Sequence, residues 1–188
     1  MSRIAANERF SSAAALLGIE PEIVRFPEDT RTATQAATAL NCELGQIIKS
    51  LIFECDGLPV LALTAGDRQV DTEALGRLCG GKIGKADAEL VREATGFAIG
   101  GVPPFGHLNQ LSCFVDQSIY RYEIAWGAAG TPDTVFAIRT EQLESLSGGQ
   151  ITEFVGLFDG CLYVAAFPVL MSEHACASNN DHSSVRGT

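Results

Sequence analysis

Residues 46–64 have the sequence "QIIKSLIFECDGLPVLALT", which predicts the centre of the fold. Two apolar runs flank the pair Asp56-Gly57, which favours a two-residue hairpin turn because both residue types tolerate positive φ. In the first run, apolar side chains alternate onto both faces of an extended chain, a pattern typical of a strand that is covered on both sides. The sequence therefore predicts a hairpin at the centre of a sheet.

Short helices and strands surround this hairpin in the sequence. Thr32 and Gln35 have the spacing of a capping box, and Asp71 and Asp87 are candidate N-caps. The predicted helices cover residues 7–17, 32–41, 72–78 and 88–94, with a short one after Thr140, and further strands are predicted at 22–26, 111–116, 122–127, 134–139 and 150–154. Because strands outnumber helices and interleave irregularly, we expect an α+β fold, a compact single domain with a curved mixed β-sheet and packed helices.

Composition excludes several classes of function. The chain has 188 residues and a formal net charge of −10, which argues against a broad basic surface for nucleic acid but allows a site for the end of one. The six cysteines include no C-x-x-C pair and only three histidines accompany them, so we expect reduced thiols and neither a metal site nor a cofactor. The first ten residues lack the apolar core of a signal peptide, which favours a cytoplasmic protein.

The chain changes character after Phe154. Residues 155–171 are apolar but contain an aspartate, two glycines and a proline, so they do not form a convincing membrane span. Residues 172–188 are small and polar, a composition typical of disorder. We therefore predict a domain of residues 1–154 and an atypical, partly disordered appendage of residues 155–188.

Two features could carry chemistry. Lys49 lies in the middle of the first apolar run, and a buried ammonium must find a partner, lower its pKa or face a cavity. We favour a cation that lines a pocket, with internal pairing as the alternative. The loop "AIGGVPPFGH", residues 98–107, could present bare main-chain N–H groups at Gly100 and Gly101, although an ordinary tight turn is the alternative.

The remaining candidates are weaker. His107 follows the loop, and Cys113 and Asp116 lie in the next predicted strand. A cysteine in mid-strand is more often an inert buried thiol than a nucleophile, and an aspartate at a strand end more often makes a turn. Trp126 is expected to belong to the core.

The residues then line up with a known family. Thr32-Ala33 before a helix, "QIIKSLIF", "LPVLALTAGDRQVD", "ATGFAIGGVPPFG", a strand ending in Asp116, and "AAGTPDTVFAI" occur in this order. This order resembles the YbaK/EbsC-like aminoacyl-tRNA deacylases, which also occur as the editing domain inserted in bacterial prolyl-tRNA synthetases. The resemblance covers about residues 20–154, and the pairing of the lysine strand with a G-x-x-x-P loop (Gly100 to Pro104) is its most specific part.

The resemblance implies a function and a site. The activity is hydrolysis of the ester between a wrong amino acid, here a small one, and a tRNA such as the proline tRNA. Lys49, Gly100 and Gly101 would be catalytic, and a hydroxyl of the terminal ribose would assist the attacking water. The residues implied in substrate binding are Ser50, Val102, Pro103, Pro104, His107 and Asp116.

The implied partner is the 3′ end of an aminoacyl-tRNA, with the tRNA body left to a synthetase or another protein; DNA and membranes are not expected. Two departures bear on specificity: Ser50 stands where the family often has threonine, and the loop "WGAAGTPD" lacks a serine that some members carry. A binding module that has lost turnover is the alternative function.

Overall fold

The computed structural model describes residues 3–26 and 32–157. Its helices are α1 (Arg3–Leu16), α2 (Ala33–Leu40), α3 (Thr72–Cys79), α4 (Ala88–Thr95) and α5 (Leu143–Ser147). Its strands are β1 (Ile23–Arg25), β2 (Ile48–Cys55), β3 (Leu58–Ala65), β4 (Arg68–Val70), β5 (Ile83–Lys85), β6 (Ser112–Asp116), β7 (Ile124–Ala128), β8 (Thr134–Arg139), β9 (Gln150–Thr152) and β10 (Val155–Leu157).

The predicted hairpin is at the centre of the largest sheet, which has the strand order β5-β2-β3-β6-β9. Strands β2 and β3 pair antiparallel from Ile48↔Ala65 to Cys55↔Leu58, and Asp56 and Gly57 in the turn both have positive φ. Strand β6 then runs parallel to β3, and β9 parallel to β6. The sheet is therefore mixed, and the predicted α+β fold is confirmed.

A second sheet supplies the other wall of the functional region. It contains β1, β8 and β7, all antiparallel. Its edge strand reaches the central sheet through a bridge between Ile47 and Trp126. Helix α1 covers the core between them, where the Phe10 ring centroid lies 4.7 Å from that of Phe136 and 5.6 Å from that of Phe105.

Local capping signals in the sequence are confirmed. Thr32 and Gln35 form the reciprocal capping box of α2. The Asp71 carboxylate accepts hydrogen bonds from two main-chain N–H groups at the start of α3, and Asp87 accepts one at the start of α4. These contacts satisfy donors that a helix N-terminus otherwise leaves unpaired.

The expectation of reduced thiols is wrong for one pair, because Cys55 and Cys79 form a disulfide with their Cα atoms 6.8 Å apart. The pairing of β5 with β2 places Cys55 opposite Ile83 and so brings the end of α3 to the end of β2. The disulfide could not be predicted from the sequence, because the two cysteines are 24 residues apart and meet only through the pairing of β5 with β2.

The described structure continues beyond the predicted domain boundary at Phe154. Val155–Leu157 form β10, which pairs antiparallel with β4. The apolar stretch after Leu157 and the polar tail lie outside the described residues. Within the described ranges, no helix combines the length and the apolar character needed to span a membrane.

Candidate active site

A narrow cavity opens where the start of β2, the β7–β8 hairpin and the glycine-rich loop meet. It has a volume of about 30 Å³, room for about two water molecules. The lining residues are mostly apolar: Phe26, Ala36, Ile47, Ile48, Lys49, Ser50, Gly100, Val102, Trp126, Ala128, Pro132, Thr134 and Val135. The two features singled out from the sequence, Lys49 and the glycine loop, therefore face the same space.

Lys49 lines the cavity and also has an internal partner. Its Nζ donates a hydrogen bond to the carbonyl oxygen of Arg68, at the start of β4. Burial lowers the pKa of the Lys49 ammonium to about 8, against the opposing attraction of the Asp67 carboxylate. Lys49 therefore lines a pocket, as the functional interpretation predicts, and is also paired internally, as the alternative predicts. A main-chain acceptor holds its side chain at the cavity wall.

Asp67, which the sequence analysis did not single out, organises the charges near Lys49. It lies in the turn between β3 and β4, and both of its carboxylate oxygens accept hydrogen bonds from Arg121, at 2.8 and 3.0 Å. Arg121 is itself anchored by donation from Nε to the carbonyl oxygen of Ser118. The spacing of Asp67 and Arg121 in the chain gave no signal of this ion pair.

The glycine loop presents a different set of main-chain donors from the one expected. The N–H of Gly101 donates to the carbonyl oxygen of Ala98 at 3.0 Å, so it is used inside the turn. Within the described part of the chain, the N–H groups of Gly100 and Val102 have no such acceptor, and both residues line the cavity. Gly100 reaches this conformation with a φ of +85°, which glycine adopts without strain.

Gly101 is needed for a close approach of two loops. A Cβ at this position would lie 2.7 Å from the Cα of Thr131 and 2.8 Å from the carbonyl oxygen of Gly130. Real Cβ atoms do not approach backbone so closely, so the absence of a side chain lets the glycine loop pack directly on the segment that follows β7.

Three of the predicted substrate-binding residues shape the loop from behind and do not line the cavity. His107 Nε2 lies 2.8 Å from the carbonyl oxygen of Pro103, and its ring stands edge-on to Phe97. Burial lowers the pKa of His107, which favours the neutral ring. Pro104 packs beneath β7, where a Cβ at Gly127 would lie 3.0 Å from its Cδ.

Asp116 lies away from the cavity. Its side chain is 1% exposed. One carboxylate oxygen accepts from the N–H of Ser118 and the other from the N–H of Phe154. These hydrogen bonds give Asp116 a structural role at the end of β6, and its contact with substrate stays a prediction.

Two other expectations concern Trp126, which the sequence assigns to the core, and Cys113, which it assigns to an inert buried thiol. Trp126, assigned to the core, lines the cavity together with Ala128, Pro132 and Thr134. Burial raises the pKa of the Cys113 thiol to about 11, which favours the protonated, less nucleophilic form at neutral pH. Within residues 3–26 and 32–157, no cluster of three histidine, cysteine, aspartate or glutamate side chains could hold a metal ion.

This fold and cavity define a class of protein. Residues 27–146 match the aminoacyl-tRNA editing domain family, and the chain belongs to that family.

Relatives of this chain cover most of its described part. It is 29% identical over 133 residues to the uncharacterised protein YwhH of Bacillus subtilis, covering 70% of this chain and 85% of the relative. It is 27% identical over 130 residues to EbsC of Enterococcus faecalis, named as a proposed Cys-tRNA(Pro)/Cys-tRNA(Cys) deacylase, covering 68% of this chain and 79% of EbsC. A crystal structure of a proposed trans-editing enzyme for prolyl-tRNA synthetase superposes with a TM-score of 0.76 and 39% identity, covering 79% of this chain and 96% of that one.

Proposed function

We propose that this protein is a trans-editing hydrolase that removes a small, wrongly attached amino acid from a tRNA. The observation that carries the proposal is the cavity itself, because Lys49, Gly100 and Val102 line the same space and, among the described residues, the N–H groups of Gly100 and Val102 have no main-chain acceptor. A cation and unpaired main-chain donors in one narrow site suit a phosphate or adenosine beside an ester. The names of EbsC and the trans-editing relative support the proline tRNA as the first substrate to test.

The reaction is the attack of water on the ester carbonyl carbon. The carbonyl electrons move onto oxygen, where the N–H groups of Gly100 and Val102 stabilise the developing negative charge. The carbon–oxygen bond to the ribose then breaks, releasing the free amino acid and a tRNA with a free hydroxyl. Lys49 holds the 3′-terminal phosphate or adenosine so that the ester lies over the loop.

The proton of the attacking water passes through the neighbouring ribose hydroxyl to the departing ribose oxygen, which leaves as a free hydroxyl. The Cys113 thiol is buried with a raised pKa, and Nε2 of His107 is directed to the carbonyl oxygen of Pro103. The neighbouring hydroxyl of the terminal ribose is therefore the best-placed group to orient and activate water. Ser50, whose hydroxyl has no partner in the described residues, faces the same cavity and would contact substrate.

Size would set specificity. The side chains of Val102, Trp126 and Pro132 narrow a cavity of about 30 Å³, so the side chain of alanine, serine or cysteine would enter and larger side chains would clash. Steric rejection of a large side chain is easier than rejection of a smaller analogue, so smaller amino acids share the site.

The partner is the 3′ end of the aminoacyl-tRNA, and a synthetase or another protein would hold the body of the tRNA, since the chain carries a net charge of −10. Translation places this activity in the cytoplasm. Residues 1–157 form the catalytic unit, and residues 158–188 are a dispensable appendage.

A deacylation panel tests the proposal. Proline tRNA charged with alanine, serine, cysteine, proline or phenylalanine is incubated with the protein, and release of the amino acid is followed above the spontaneous rate. We expect release of the small amino acids only. Tight binding of the same tRNAs with no release of any of them would favour the alternative, a binding module without turnover.

A further inference from the structure

The first helix touches the cavity wall although it lies outside the part of the chain that matches the family. The match begins at residue 27, whereas α1 covers Arg3–Leu16. Asn7 on this helix donates hydrogen bonds from Nδ2 to the carbonyl oxygen of Ala129, at 2.6 Å, and to Oγ1 of Thr134, at 2.9 Å. Both acceptors belong to the segment of residues 128–134, which we name the wall loop.

The wall loop borders the space in which the amino acid would lie. Ala128, Pro132 and Thr134 all line the cavity. The loop is closed by its own hydrogen bonds, including one of 2.8 Å between the hydroxyls of Thr131 and Thr134. These internal bonds set the shape of the wall loop, but they do not set its distance from the rest of the cavity.

Asn7 anchors the wall loop from outside through both polar atoms of its side-chain amide. Its Oδ1 accepts a hydrogen bond from Arg25 at 3.1 Å. Arg25 in turn pairs with Asp133 of the wall loop. The amide is thus fixed in orientation, because its nitrogen must point to the wall loop when its oxygen faces the guanidinium.

Close packing carries the same restraint to the glycine loop. Gly130 lies against α1, where a Cβ would be 2.6 Å from the carbonyl oxygen of Ala6. On the other side, the same segment supports Gly101, at the distances given above. Helix α1, the wall loop and the glycine loop are therefore in close contact at Gly130 and Gly101, and a shift of one moves the next.

We propose that Asn7 is a positioning residue that fixes the width of the amino-acid cavity by clamping the wall loop to α1. This inference rests on the proposed function for its substrate. When the contacts that support a functional site are removed, the site residues are positioned less accurately while the fold persists. Removal of the clamp should therefore widen the range of accepted amino acids.

The test compares Asn7→Ala with Glu8→Ala, a matched control at the next, exposed position of the same helix. Values of kcat/KM are measured for alanine and for valine attached to the same proline tRNA. We expect the alanine-to-valine ratio to fall about tenfold in Asn7→Ala, the lower end of what a small change in side-chain size contributes to discrimination. The ratio should not change in Glu8→Ala.

Amide hydrogen exchange of the same proteins gives a second readout that does not depend on turnover. Exchange in residues 128–134 should become faster in Asn7→Ala, while exchange in β3 stays unchanged. If Asn7→Ala does not fold, Asn7→Asp replaces it, since the side chain has the same size and keeps its acceptor for Arg25 but loses the donor.

The outcomes separate the two proposals. An unchanged ratio together with unchanged exchange in a folded variant overturns the positioning role, as does an equal loss of discrimination in Glu8→Ala. If the wild-type protein releases no amino acid from any charged tRNA, the proposed function fails, and the exchange measurement alone decides whether Asn7 clamps the wall loop.

Discussion

A methyl group added at Gly101 should separate the two loops that border the cavity. In Gly101→Ala the new Cβ would lie 2.7 Å from the Cα of Thr131 and 2.8 Å from the carbonyl oxygen of Gly130. Both contacts are to backbone, so no flexible side chain can move aside to relieve them. Ordinary van der Waals contact begins near 3.4 Å, so the loops must part by roughly 0.7 Å.

The size of the effect follows from that displacement. Overpacking of this kind costs about 1–3 kcal/mol of folding free energy. A misplacement approaching 1 Å of groups that bind the reacting atoms costs about 10²-fold in rate. We therefore expect Gly101→Ala to fold with a lowered melting temperature and to hydrolyse its substrate about 10²-fold more slowly. The N–H of Gly101 is bonded inside the turn, so the loss arises from displacement of Gly100 and Val102.

The assay is single-turnover release of alanine from charged proline tRNA, with thermal unfolding of the same samples. Gly84→Ala is the matched control, because a Cβ there would meet its nearest neighbour at an ordinary 3.7 Å. A Gly101→Ala protein with a wild-type rate and melting temperature would refute the close approach of the loops. An equal loss in Gly84→Ala would show that the defect is not specific to the site.

Three further predictions follow from other parts of the molecule. Deacylation above the spontaneous rate should fall as the pH rises through about 8, because the Lys49 ammonium loses its charge there. In Asp67→Asn the fall should move to lower pH, because the Asp67 carboxylate raises the pKa of Lys49. A rate that rises through this range would contradict the role of the ammonium. A protein ending at Leu157 should fold and hydrolyse substrate like the full chain, since the last described strand is then complete. Circular dichroism and deacylation measure the two properties. Loss of folded protein would show that the remaining residues stabilise the domain. Cys79→Ser should lower the free energy of unfolding by about 3.5 kcal/mol, the loop-closure value for a separation of 24 residues, with little change in rate. An unchanged denaturation midpoint would argue against the disulfide.

Local features of the fold could be predicted from sequence because their causes lie within a few residues. The Asp56-Gly57 turn and the caps at Thr32, Asp71 and Asp87 each depend on neighbouring positions. Lys49 could be predicted at a cavity for a related reason, since the residues on either side of it already show that its strand is covered on both faces.

Features set by distant contacts could not be predicted in this way. The ion pair of Asp67 with Arg121 and the clamp from Asn7 to the wall loop join residues far apart in the chain. The glycine loop illustrates a subtler limit, because the sequence shows that N–H groups can be exposed but not that the carbonyl of Ala98 occupies one of them. The structural contacts of Asp116 could not be predicted for the same reason, since the Phe154 N–H that donates to its carboxylate lies in the later connection between β9 and β10.

The central claim is that Lys49 and the substrate's own hydroxyl carry the hydrolysis. The most direct measurement is single-turnover hydrolysis of alanine from proline tRNA by wild type, Lys49→Ala and Cys113→Ala, each with a normal and a deoxy terminal ribose. We predict that Lys49→Ala loses about 10²-fold or more in rate while staying folded, that Cys113→Ala retains its rate, and that the deoxy substrate is bound but barely hydrolysed. Normal hydrolysis of the deoxy substrate, or a folded Lys49→Ala protein with the wild-type rate, would contradict the account.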